Sequence, residues 1–238
     1  MANKGPFSLN QFQIKMIAVL SMLIDHIGYV FYDMLPGNVY FAMRCLGRAA
    51  FPIFACMLAE GFFHTKRIRY HLLLLAVFAL LSEIPFNLFM DKRIISTGHQ
   101  SVMLTLFLAF SGMIMFKYAK GNLRFLSLTG LVLPLLADYL HTDYGALGVI
   151  TVYLFYLLSL RHPEGMNRIS SVEILSALLP LFAIAFLSWD KEYACVLSVP
   201  ILLLYNGERG RGCKYFFYLF YPLHFLVLVF IYYVITGR

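Results

Sequence analysis

Apolar residues fall into nine long runs along the chain, at about 11–32, 39–63, 70–89, 101–117, 124–140, 145–160, 172–189, 193–205 and 215–235. Short polar stretches separate them, and none is long enough for a soluble domain. A perpendicular helix needs about 20 residues to cross the hydrocarbon layer, so several runs sit at or just under spanning length. The pattern predicts an all-α, polytopic membrane bundle of about nine transmembrane helices, forming one domain over residues 1–238. The run at 193–205 is the shortest, and Pro200 interrupts it, as in a re-entrant segment. The first run is long, contains Asp25-His26 and lacks a small-residue cleavage site. It is therefore expected to stay in place as a spanning helix rather than be removed as a leader.

Composition agrees with this reading. Of 238 residues, 61% are hydrophobic and only 13% charged, which is not the balance of a soluble domain. The net charge of +7 has a topological explanation. Lys4, Lys15, Lys66, Arg67, Arg69, Lys117, Lys120, Arg124, Arg161, Arg168, Arg209, Arg211 and Lys214 lie at the N-terminus and in alternate loops, whereas the other loops and the C-terminus hold only Lys92, Arg93, Lys191 and Arg238. Positive charge gathers on the cytoplasmic side, which predicts a multi-pass protein of the cell's inner (cytoplasmic) membrane, with its N-terminus in the cytoplasm and its C-terminus outside. The bilayer is then the main partner, and no nucleic acid is expected. Cys45, Cys56, Cys195 and Cys213 show no metal spacing and are expected to be free thiols; no metal is predicted.

Against this background the informative residues are charges inside apolar runs. A charge at the bilayer centre costs about 2.5–3.5 kcal/mol on insertion scales, so Asp25-His26, Arg44, Arg48 and Glu83 are either mutual partners or a working site. At 1.5 Å rise per residue, Asp25 lies roughly 20 Å from the inner face. Arg44 and Arg48 are spaced i, i+4 on the inward-running second segment, and Glu83 and Asn87 repeat that spacing on the third. Asp138 closes the fifth segment at the outer face, Asp143 follows in the next loop, and His224 lies within the last run. Several segments thus deliver polar groups to the outer half. Glu60 and His64 belong at the inner face beside Lys66 and Arg67, where snorkelling accounts for them.

His26 is the strongest general-base candidate of this set. Asp25 is adjacent in sequence but about 100° away around a helix, so it either supports the imidazole or pairs with an arginine. Arg44 and Arg48 form a two-cation clamp suited to phosphate or to a developing oxyanion.

The ordered motifs resemble the TraX family. They are Ile14-Lys15-x-Ile17-Ala18 with Ile24-Asp25-His26-Ile27-Gly28, then Arg44-x-x-Gly47-Arg48-x-Ala50-Phe51-Pro52, Ala59-Glu60-Gly61-Phe62, Ser82-Glu83-Ile84-Pro85-Phe86, Ala137-Asp138-Tyr139, Asp143-Tyr144-Gly145-x-x-Gly148 and Phe220-Tyr221-Pro222-x-His224. The family's named member is tied to N-terminal acetylation of pilin, and the family looks like a compact relative of the larger transmembrane acyltransferases. The resemblance implies transfer of an acetyl or other acyl group from cytoplasmic acyl-CoA to an amine or hydroxyl at the outer side. The acceptor would be a protein N-terminus, an amino sugar or a surface glycan. It implies His26 as base with Asp25 beside it, and donor or acceptor binding by Arg44, Arg48, Glu83, Asn87, Asp138, Asp143 and His224. Two other classes compete. One is a proton- or ion-coupled transporter or flippase using the intramembrane charges as a relay; the absence of an internal repeat counts against it. The other is a non-catalytic factor for pilus or polymer assembly.

Overall fold

The computed structural model describes residues 7–96, 98–119, 122–188 and 191–237, apart from the side chains of Ser188 and Lys214. Among them the regular structure is helical: α1 (Gln11–Val30), α2 (Gly37–Gly47), α3 (Ala50–His64), α4 (Ile68–Asp91), α5 (Val102–Tyr118), α6 (Leu123–Tyr139), α7 (Gly145–Arg161), α8 (Ser171–Ala177), α9 (Leu179–Ser188), α10 (Ser198–Leu203) and α11 (Lys214–Thr236). Lys4, Lys120 and Arg238, used above in the charge asymmetry, lie outside the described residues. Among the described residues four stretches are long and apolar enough to cross a membrane: Gln11–Val30, Gly37–His64, Ile68–Asp91 and Tyr215–Thr236. Large apolar side chains stand exposed on these stretches and on α6 and α9, among them Leu80, Phe230, Leu131 and Phe186, as a lipid-facing surface requires.

Local chemistry sets the helix ends. Asn10 caps α1 in a reciprocal box with Gln13, and Ser170 does the same for α8 with Glu173. Three of the apolar runs are broken, and that at 172–189 divides at Leu178 between α8 and α9. The run 39–63 divides at Arg48-Ala49, where Arg48 N–H bonds the Cys45 carbonyl and Ala49 N–H the Leu46 carbonyl, a tightened i−3 turn between α2 and α3. The run 193–205 is a 3₁₀ turn over Lys191–Leu197 followed by the six-residue α10, not one continuous helix.

The chain runs back and forth between two ends. At one end Leu9 and Gln11 bond the Leu204 and Glu208 carbonyls, and Glu60 meets Met166 and Tyr205. Arg67, Lys117, Arg161 and Arg209 are all in or beside this end, which we call the basic end. At the other, Gln100 N–H bonds the His141 carbonyl and Asp143 N–H returns to Gln100, joining the α4–α5 and α6–α7 connections. Between the ends lies a core built from Ile14, Ala18, Ile53, Phe62, Phe110, Phe155 and Phe225. α1 and α2 approach closely through small residues. A Cβ on Gly47 would fall 2.2 Å from the Asp25 Cβ, so only glycine admits this contact. All four cysteines are free thiols.

Candidate functional site

Two polar centres adjoin on α1, because consecutive residues point about 100° apart. Asp25 faces α2 and the turn after it. Its carboxylate accepts from Arg44 Nη1 at 2.7 Å and from Arg48 Nη2 at 3.2 Å. Arg48 also bonds Glu192 through Nη1 and lies 3.5 Å from the Tyr144 hydroxyl. Two guanidinium groups and two carboxylates thus cancel formally in one buried network. Glu192 is 3% exposed, which makes its pairing obligatory in an apolar surround. The break between α2 and α3 places Arg48 where it reaches Asp25, Glu192 and Tyr144 together.

His26 faces α11 and α4 instead. Its Nδ1 lies 2.7 Å from His224 Nε2, and His224 Nδ1 lies 3.0 Å from the Phe220 carbonyl. A carbonyl only accepts, so the hydrogen on His224 sits on Nδ1 and its Nε2 carries the lone pair. His26 must then donate from Nδ1, which leaves its own Nε2 as an acceptor. No described protein group takes up that nitrogen, and His26 is only part-buried whereas His224 is 4% exposed. Phe89, Phe225 and Phe220 surround the pair, with ring centroids 4.9 Å from His26 to Phe225 and 5.0 Å from His224 to Phe220. The centres meet through Arg44, whose guanidinium lies 5.5 Å from the centroid of Tyr29, which in turn stacks on Phe89 beside His26. Only Nη1 of Arg44 is engaged by a described residue.

The other anticipated residues are placed differently. Glu83 does not pair with arginine. Its Oε1 accepts from the Ser101 amide at 3.2 Å and hydroxyl at 2.8 Å, fixing the start of α5. Asn87 lies on the same face of α4 and donates to the Ile94 carbonyl at 3.4 Å; its buried Oδ1 has no partner. This face meets the 92–101 connection, whereas Phe86 and Phe89, on another face, meet Phe225 and His26. Asp138 accepts from the Ala146 amide at 2.8 Å and so caps α7. Asp143 holds its connection through its backbone, with its carbonyl bonded by Thr105. Its side chain is exposed and forms no ion pair among the described residues. The expected two-cation clamp is therefore an internally neutralised network in which Arg44 keeps donors that no described residue engages.

Sequence reasoning missed Glu192 and Tyr144. Glu192 opens the interrupted run, where it reads as an ordinary loop charge; the signal was a carboxylate at the mouth of a segment too short to span. Tyr144 lies within the Asp143-Tyr144-Gly145 motif and adopts a left-handed backbone, φ +65°, with Gly145 next at φ +49°. It stacks on Phe51 at 4.1 Å, and this unusual conformation directs its hydroxyl toward Arg48. Among the described residues no three His, Cys, Asp or Glu side chains come together as a metal site would require.

The family profile described as TraX protein matches residues 10–232. A curated relative from Dichelobacter nodosus, named a probable fimbrial assembly protein FimC of serogroup H1, is 29% identical over 240 residues. The match covers 91% of this chain and 93% of that protein. No solved structure matches.

Proposed function

This chain belongs to the TraX family, and from that premise we propose that it is a membrane-embedded acyltransferase with His26 as its general base. The observation that carries the reading is the free Nε2 of His26, set by the relay from His26 Nδ1 to His224 and on to the Phe220 carbonyl. A base needs a free lone pair and a fixed hydrogen behind it, and the His26–His224 arrangement supports both. In the proposed reaction an amine or hydroxyl acceptor loses its proton to His26 Nε2 as it attacks the thioester carbon of acyl-CoA. The tetrahedral oxyanion forms beside the uncommitted donors of Arg44. Its collapse breaks the carbon–sulfur bond, and the departing CoA thiolate takes the proton back from His26. The products are the acylated acceptor and free CoA.

The topology we propose has nine crossings with the basic end in the cytoplasm, where acyl-CoA is found, and the His26 end toward the outside. The acceptor there is a protein N-terminus, an amino sugar or a surface glycan. Against a proton or ion relay stands the saturation of Asp25, which two arginines hold, so it is poorly placed to cycle between protonation states. The test is CoA release by purified protein in nanodiscs, with acetyl-CoA and a peptide amine. His26→Ala should reduce release about 10²–10⁴-fold; equal turnover by wild type and variant would sink the reading.

A second reading has its own support, because the Dichelobacter relative is named for fimbrial assembly. On that reading the chain packs against a pilus subunit without chemistry. Restoration of assembly by His26→Ala in a deletion strain would favour it.

A further inference from the structure

We propose that the basic end carries a binding site for an anionic phospholipid, in the cavity between the C-terminal ends of α3, α5 and α7. The cavity measures about 420 Å³ and is lined by Phe62, Phe63, Phe116, Lys117, Tyr156 and Leu160. Its walls and its charge are of two kinds. Five of the six lining residues are aromatic or aliphatic, and Phe63 and Leu160 are also exposed on the outer flank, at 43% and 51%. The cavity therefore opens sideways toward the surface that faces hydrocarbon.

The sixth residue, Lys117, supplies the charge. It lies in the last turn of α5, with Nζ 5.6 Å from the Phe62 ring centroid, and it forms no ion pair among the described residues. The unpaired carbonyls of that helix end hold a cation in place, and no carboxylate lines the cavity to neutralise it. Exposed cations end the neighbouring helices as well, Lys66 and Arg67 just past α3 and Arg161 closing α7. A ligand that satisfies both halves has an anionic head at Lys117 and an acyl chain against Phe63 and Leu160. Basic pockets between membrane helices take head groups of this kind.

The geometry favours a lipid over the nucleotide of acyl-CoA. Toward the interior the cavity is closed by fully buried Phe62, which packs edge-on against fully buried Phe110 at 5.4 Å. The cavity's lining includes none of the residues around His26, and the inference stands apart from the acyl-transfer reading.

The experiment loads purified protein into nanodiscs of phosphatidylcholine with increasing phosphatidylglycerol, then counts phosphatidylglycerol retained per protein by mass spectrometry after detergent washing. Wild type should retain it saturably and in preference to the neutral lipid. Lys117→Gln should bind about fivefold more weakly, the contribution of one lysine near an anionic surface. Leu160→Trp, which fills the cavity, should weaken retention while leaving Lys117 in place. Arg69→Gln, an exposed cation that does not line the cavity, should retain as wild type does. Equal retention by Lys117→Gln and wild type would overturn the proposal. So would release of the bound lipid by adenosine 3′,5′-bisphosphate, which would make the cavity a nucleotide site.

Discussion

The two centres on α1 differ in how completely they are satisfied. Asp25 lies in a network where two guanidiniums and two carboxylates meet, and it engages both arginines. His26, the next residue, has one nitrogen fixed by His224 and the other without a protein partner. Closed networks of buried charge hold helices in register, and a partner removed leaves an uncompensated charge. An open nitrogen in an aromatic surround contributes little to packing, and in the proposed reaction it is the one that meets the acceptor. Adjacent residues of one helix therefore serve different ends. Arg44 belongs to both, since one of its donors is spent on Asp25 and the rest are uncommitted.

The strongest way to break this contrast is to remove Arg48. Arg48→Met strands both Glu192 and part of Asp25, and should cost about 3–5 kcal/mol of stability, read as early thermal unfolding in detergent. If Arg48→Met melts as wild type does, the network is not what holds the turn between α2 and α3. His26→Ala should cost less, about 1–3 kcal/mol for the buried His224 Nε2 it leaves unpaired, while abolishing most CoA release. A loss of stability as large as that of Arg48→Met would merge the two centres into one structural cluster.

His224 sharpens the comparison within the histidine pair. His224→Leu removes the acceptor that fixes the Nδ1 hydrogen of His26, and by analogy with other supporting partners should lower kcat about 10–100-fold. His224→Gln, with a side-chain carbonyl in reach of the same hydrogen, should recover part of that loss. Recovery distinguishes positioning from mere packing, because leucine and glutamine fill similar volumes. Glu83→Ala gives a smaller effect. Loss of the bonds to Ser101 should cost about 1 kcal/mol in stability, as other lost caps do, with CoA release per folded molecule unchanged. A selective loss of turnover would return Glu83 to the site. The least effect is expected of Asp138→Asn, which keeps an acceptor for the Ala146 amide and should shift melting by well under 1 kcal/mol.

Much of this was legible in one dimension. Charges within apolar runs marked Asp25, His26, Arg44, Arg48 and Glu83 as one set, because burying them singly is too costly to be accidental; the structure joins Asp25 to both arginines and leaves Glu83 outside. Glu83 and Asn87 were legible as a pair on one face, but the face itself was not. Asp138 showed as a residue near a helix end without showing that it caps the next helix across a short connection.

The sequence by itself determined the helical membrane class, the family and the concentration of polar chemistry on a few apolar segments, since these follow from composition, run length and local spacing. Only the tertiary structure decided which groups meet. It turned Asp25 to the arginines and His26 to His224, brought in Glu192 and Tyr144, and sent Glu83 to Ser101. The physical reason is that these helices are apolar nearly all round. In a soluble bundle a polar face fixes how each helix is rotated. Here lipid and core are alike in polarity, so rotation is set by close packing at residues such as Gly47 and by the interhelical bonds themselves. Those depend on partners 19 to 198 residues away in the chain.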